Sequence, residues 1–175
     1  MPDSRKPHAD AAEALLAVAP LASRWLERLL AQHEPPITVS QYLALRAISR
    51  EPLTGSELAR RTGVSGPAVS QLLTGLSTAG LVERHPSPED RRHQTLVLSA
   101  GGVSVFESAH AMLTANFGTL LADLPHPEAD ALSRALPNVE AALAGTTPPR
   151  RPPPPPRRPP PPPRGPAATP RGPRR

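Results

Sequence analysis

Leu58-Ala59-Arg60-Arg61-Thr62-Gly63-Val64-Ser65-Gly66-Pro67-Ala68-Val69-Ser70-Gln71-Leu72 is the stretch that decides the fold. Two helical segments meet in it across Gly63-Val64-Ser65. Thr54 is placed to cap a short helix over 55–62. Gly63 ends that helix, because glycine takes the left-handed conformation of a helix C-terminus at little cost. Ser65 is placed to cap the next helix, 66–79, and Pro67 falls in its first turn, where a missing N–H is harmless. Gly80 closes it. Ala59 is small where two helices must cross closely. Leu58, Val64, Val69 and Leu72 fall where both helices and a supporting helix share a core. Two helices joined this tightly form a helix-turn-helix.

Beyond Gly80 the period changes from about 3.6 to 2. Leu81–His85 and Gln94–Ser99 read as strands. Pro86-Ser87-Pro88-Glu89-Asp90 between them is turn chemistry, so the segment is a hairpin with a charged tip. A helix fills the major groove of duplex DNA, and a hairpin beside it reaches the adjacent minor groove. The tip then needs cations, and Arg91 and Arg92 supply them; arginine suits the strong negative potential of a narrow minor groove.

The flanks are helical. Thr38 is placed to cap a helix over 39–50, with Tyr42, Leu45 and Ile48 on its buried side. A longer helix over 9–33 carries Leu15, Val18, Ala22, Trp25, Leu26, Leu29 and Leu30 at three- and four-residue steps. Pro20 is expected to kink or break it, and Pro35-Pro36 stop it. A helix over 100–123 carries Phe106, Leu113, Phe117, Leu120, Leu121 and Leu124, and Pro125 and Pro127 break it. The last helix, 128–144, carries Leu132, Leu136, Val139 and Leu143, with Pro137 as an interior fault. The stripes on the outer helices read as dimer and domain core, and Trp25 as core. Residues 1–8 read as a flexible N-terminus and 9–145 as the folded domain. Residues 146–175 read as a disordered Pro/Arg-rich tail, extended in polyproline II. The fold class is mainly α with a small β-hairpin wing (α+β): a winged helix-turn-helix over about 38–99 between dimerisation helices.

The 175 residues suffice for one domain with a core. Aromatic content is 2%, too little for stacking platforms on single-stranded nucleic acid. Cysteine is absent, which excludes disulfides, zinc-thiolate sites and a thiol redox sensor. The formal net charge of +5 is misleading as a whole-chain figure. The tail holds eight arginines and no acid, so residues 1–145 set twelve Lys and Arg against all fifteen Asp and Glu. Net charge therefore carries no argument for DNA binding by the folded part.

No apolar run is long enough to span a membrane. Arg5, Lys6 and the Ala14–Ala22 stretch resemble a signal peptide, but Glu13, Pro20 and the amphipathic continuation through Arg28 favour an ordinary helix of a cytoplasmic protein. No nucleophile–base pairing, phosphate-cradling glycine loop or carboxylate pair stands out. His33, His110 and His126 lack metal-ligand spacing. No enzyme activity, cofactor or metal is expected. His85 and His93 flank the hairpin tip and read as solvated, with phosphate contact at mild acidity as the sharper alternative.

Several motifs together resemble the MarR family of regulators. They are Leu58–Ser65, Ala68-Val69-Ser70-Gln71-Leu72, Gly80-Leu81-Val82-Glu83-Arg84, Asp90-Arg91-Arg92 and Leu98-Ser99-Ala100-Gly101. The resemblance covers about residues 10–144. It implies a homodimer whose outer helices interlock and whose recognition helices read the halves of a pseudo-palindromic operator in double-stranded DNA. It also implies a ligand-responsive repressor, with a small-molecule effector between the dimer helices and the winged domain. By the same resemblance Gly66, Pro67, Ala68, Ser70 and Gln71 face the major groove, and glutamine suits bidentate pairing to adenine. Arg92 enters the minor groove, steadied by Asp90, while Arg60, Arg61, Arg84 and Arg91 contact the backbone. Ser56, Ser65, Thr74 and His93 complete the DNA-facing set. One departure from the family stands out: no Lys or Arg occurs between Ser65 and Leu81. The alternative function is a winged-helix protein-interaction module whose tail binds a partner. The tail itself reads as a solubilising extension, a ligand for a proline-recognition groove, or an arm on phosphates.

Overall fold

Two threonines start the central helices in the same way. In the computed structural model, which describes residues 6–86 and 94–145, α2 spans Val39–Arg50 and α3 spans Gly55–Thr62. The Thr38 hydroxyl accepts from the Gln41 N–H at 3.1 Å, and the Gln41 side chain accepts from the Thr38 N–H at 2.8 Å. Thr54 and Glu57 make the same exchange at 3.3 and 2.8 Å. Each exchange satisfies donors that a helix start leaves unpaired. Gly63 ends α3 at φ 66° and ψ 15°.

Helix α4 spans Gly66–Thr78, with Ser65 in the cap position. Ser65 makes no side-chain capping bond, contrary to the sequence expectation. Residues 65–68 are exposed, so water can serve the first N–H groups of α4 and no side chain is required for it.

The wing pairs β2, Val82–Pro86, with β3, Gln94–Leu98, antiparallel from Val82 opposite Leu98 to Pro86 opposite Gln94. A further strand, β1, Leu53–Thr54, lies on the other edge of β3, giving the order β1-β3-β2. The sequence did not announce β1, because two residues are too few to show a period. The expectations for 87–93 and 146–175 lie outside the described residues.

The outer helices are α1, Lys6–Ala31, α5, Ala100–Leu120, and α6, His126–Gly145. Residues 6–8, expected to be loose, are helical. Pro20 and Pro137 do not break their helices. Both sit on exposed stretches, so the carbonyls they leave unpaired can bond to water, which offsets part of the cost. Pro127, expected as a breaker, falls in the first turn of α6, where proline is tolerated.

Two apolar clusters hold these elements. The larger lies under the helix-turn-helix and includes Leu45, Ile48, Leu53, Leu58, Val69, Leu73, Leu76 and Leu96. Leu58 and Val69 are buried as expected, whereas Val64 and Leu72 only flank the cluster and Leu73 and Leu76 go deeper. The smaller joins α1, α2 and α5 through Leu30, Ile37, Tyr42, Ala109 and Leu113. Val105 and Phe106 on α5 pack against both clusters. Trp25 is half-buried, edge-on to Phe117 with ring centroids 4.6 Å apart. The Tyr42 hydroxyl and His110 Nδ1 lie 2.9 Å apart, and burial raises the Tyr42 pKa against the opposing charges of Arg46 and Arg50. His33 Nδ1 is 2.7 Å from the Pro35 carbonyl, and Nε2 is 2.8 Å from the Ser108 hydroxyl.

The end of α4 is locked to the start of α5. The Ser99 hydroxyl accepts from the Gly102 N–H at 2.9 Å and donates to the Gly80 carbonyl at 2.6 Å. The Ser99 N–H donates to the Leu81 carbonyl at 3.1 Å. Backbone meets backbone here: a Cβ on Gly102 would lie 1.9 Å from the Leu81 carbonyl oxygen. A Cβ on Gly101 would make only ordinary contacts at 3.7 Å. Gly102→Ala is therefore expected to lower unfolding free energy in urea by at least about 2 kcal/mol, the scale of core overpacking. Gly101→Ala should be neutral or stabilising by up to about 1 kcal/mol, since alanine is the better helix former. Equal effects of the two substitutions would show that the close approach at Gly102 is not what constrains it.

Candidate nucleic-acid interface

The helix α4 divides into two faces. Val69, Leu73 and Leu76 point into the core, while Gly66, Pro67, Ala68, Ser70, Gln71 and Thr74 are all exposed. The burial of the apolar side fixes the rotation of the helix, and so fixes which residues a duplex can meet. The Thr74 hydroxyl donates to the Ser70 carbonyl at 2.9 Å and keeps its acceptor capacity. Ser65 lies at the N-terminal end with its hydroxyl uncommitted to a cap.

A cleft of about 450 Å³ separates α4 from the wing. Ser56, Ser70, Thr74 and Arg84 line it, together with Thr54 and Gln94. The fold thus gathers residues from α3, α4 and β2 that the sequence holds up to 28 positions apart. Gln94 was not singled out from sequence; its place directly opposite Pro86 in the hairpin register is the signal that could have found it.

The cations are distributed less favourably than the sequence implied. Arg61 on α3 pairs with Glu51. Arg46 and Arg50 on α2 both reach Glu140 on α6, at 3.5 and 3.2 Å. Arg60 and Arg84 are exposed, without an ion pair among the described residues. His85 on β2 lies 3.1 Å from Glu83. Asp90, Arg91, Arg92 and His93 lie outside the described residues. Among the described residues no cluster of His, Cys, Asp or Glu could hold a metal ion, and no helix is long and apolar enough to cross a membrane.

A buried-faced helix, a preceding helix set across a tight turn and a hairpin beside them define a winged helix-turn-helix. The MarR family model matches residues 36–93, which take in α2, β1, α3, α4 and β2. An HTH-type transcriptional repressor of Mycobacterium tuberculosis is 32% identical over 101 residues, covering 57% of this chain and 73% of that protein. Apo MarR of Escherichia coli is 27% identical with a TM-score of 0.64, covering 73% of this chain and 95% of that one. A mutant MarR of E. coli in complex with operator DNA is 28% identical with a TM-score of 0.58, covering 72% of this chain and 93% of that one. The chain belongs to the MarR family.

The α3 cap makes the fold sensitive to acid. The Thr54 N–H, and then its hydroxyl, donate to Glu57 and hold its carboxyl below the ordinary value of 4.5. A depressed folded pKa means that the ionised carboxylate stabilises the fold above pH 4.5, and that this contribution is lost as pH falls through the lower folded value. The group is partly exposed, so the effect is modest. Urea unfolding followed from pH 6 to 3 should show the native chain losing stability more steeply than Glu57→Gln. Parallel curves would remove Glu57 from the acid response.

Proposed function

We propose that the chain is a DNA-binding transcriptional regulator that acts in the cytoplasm as a homodimer on a pseudo-palindromic operator, most simply as a ligand-responsive repressor. The observation that carries this reading is the exposed polar face of α4, set by its buried Val69-Leu73-Leu76 side and flanked across one cleft by Arg84. Family membership and the operator complex of E. coli MarR support it.

In this reading Gln71 with Ser70, Ala68, Pro67 and Gly66 meets base edges. Ser56, Arg60, Ser65, Thr74 and Arg84 meet the backbone, and Arg61 does so once released from Glu51. Asp90, Arg91, Arg92 and His93 form the minor-groove contact. The dimer is supported by apolar side chains left bare on the outer helices. Leu16 is 69% exposed, Leu21 60%, Leu120 61% and Leu143 66%. Exposed apolar area of this kind marks an interface. A small effector is assigned to the cleft of about 440 Å³ where the end of α2 meets β3 and α5, lined by Ile48, Arg50, Pro52, Val97, Phe106 and Glu107 among others.

Operators selected by the full chain from random duplex provide the test. Arg84→Ala should weaken binding to all duplexes alike and lower the salt slope by about 1. Gln71→Ala should leave the slope unchanged and cost about 1–3 kcal/mol of discrimination at one base pair. A chain that prefers no duplex at moderate salt sinks the reading. For the dimer, Leu16→Asp combined with Leu143→Asp should convert a sedimenting dimer to monomer; an unchanged sedimentation coefficient places the interface elsewhere.

A further inference from the structure

We propose that the cleft between α2, β3 and α5 takes a small organic cation with an apolar body, whose charge pairs with Glu107. The proposal rests on the assignment of a small effector to this cleft above, and adds to it the chemical class of the occupant.

The cleft has the size and the lining of a small-molecule site. Its volume of about 440 Å³ falls inside the range of about 300–1,000 Å³ that such sites span. Three parts of the fold build its apolar wall. Ile48 comes from α2 and Pro52 from the loop after it, Val97 from β3, and Val103 and Phe106 from α5. Phe106 and Glu107 follow Val103 by three and four positions, so one face of α5 carries all three. Val103 is 39% exposed, an apolar side chain left bare in the wall. Phe106 is held in place, because its ring stacks on His110 and on Tyr42 with centroids 5.4 and 6.1 Å apart. An organic cation gains from an aromatic ring as well as from apolar contact.

The charges decide the class. Arg50, Glu51 and Glu107 line the cleft. Arg50 is committed to Glu140 at 3.2 Å, and Arg46 reaches the same carboxylate oxygen at 3.5 Å. Glu51 is committed to Arg61. Glu107 is exposed and has no ion pair among the described residues. Any occupant of the cleft takes water away from Glu107. A neutral or anionic occupant leaves that carboxylate less solvated and still unpaired, which costs free energy. An ammonium group replaces the lost water with a charge-assisted hydrogen bond. An anion would also have to draw Arg50 off Glu140, and so give up a tie between α2 and α6. The free carboxylate and the committed guanidinium therefore favour the same sign of charge.

The test uses the full chain and three probes that share one apolar body: naphthylbutylamine, naphthylbutanol and naphthylbutanoate. Each is titrated into the native chain and into Glu107→Gln. Calorimetry gives the affinity, and the backbone amide shifts of β3 and of the first two turns of α5 give the position. The amine should bind the native chain about three- to tenfold more tightly than the alcohol, the scale of an ion pair that becomes partly desolvated. The butanoate should bind most weakly. Glu107→Gln should bind amine and alcohol alike, with binding of the alcohol as the sign that the cleft is intact. Equal affinity of the native chain for amine and alcohol overturns the proposal and leaves the cleft as an effector site. Tightest binding by the butanoate overturns it too, since Arg50 would then exchange Glu140 for the ligand. An advantage of the amine that survives Glu107→Gln overturns it as well, because the charge would be held elsewhere. If no probe shifts the amides of β3 and α5, as a second copy seated over the cleft would ensure, the proposal falls together with the effector assignment itself.

Discussion

The close approach of Gly102 to the Leu81 carbonyl is the constraint on which the rest of the molecule depends. It lets the first turn of α5 sit directly on the chain as it leaves α4. Ser99 then bridges the same point three ways, to Gly80, Leu81 and Gly102. A recognition helix is useful only if its orientation is fixed relative to its symmetry mate. In a dimer built through the outer helices, that orientation is transmitted through α5. A contact between two backbones has no rotamers to absorb displacement, so it transmits position better than side-chain packing does. Val105 and Phe106 extend the same coupling one turn further, because they pack against both apolar clusters. Movement at the outer helices therefore reaches the helix-turn-helix through a short and stiff route.

The parts of this arrangement that could be read from sequence are those whose signals are local. Thr38 and Thr54 stand directly before the helices they cap, so the starts of α2 and α3 were legible to the residue. Gly63 and Gly80 mark positive φ, which glycine alone adopts cheaply. The hairpin was legible from its change of period. What stayed hidden depended on partners distant in sequence. Arg50 and Glu140 are 90 residues apart, and nothing near either one announces their pairing. The same holds for Gly102, whose need for a bare Cα comes from Leu81 on another element. Pro20 and Pro137 misled because their cost depends on solvent exposure, which the sequence does not state. Leu72 and Leu73 are adjacent and equally apolar, and only the rotation of α4 decides which is buried.

The candidate site was legible in a similar proportion. Membership of the α4 face came from the family resemblance, which named Gly66, Pro67, Ala68, Ser70 and Gln71; the structure leaves them exposed because Val69, Leu73 and Leu76 turn inward. The electrostatics did not follow. A sequence shows which arginines exist but not which are already satisfied, and Arg61 is drawn aside by a glutamate ten positions upstream.

These electrostatics have a consequence for how affinity and specificity are divided. A recognition helix without cations gains little from phosphates, and little from non-specific duplex. In the proposed reading its hydroxyls, its amide and its small residues discriminate by hydrogen bonding and shape, which are weakly dependent on salt. In the same reading Arg60 on α3 and Arg84 on β2 supply attraction that is indifferent to sequence. Separating the two tasks lowers the penalty for mispositioned charge on the reading face. It also confines salt sensitivity to elements that do not read bases. A regulator built this way keeps its base preference as ionic strength changes while its occupancy of all duplex rises and falls together. The backbone lock at Gly102 makes that preference possible, because hydrogen-bond readout tolerates far less displacement than attraction to phosphates does.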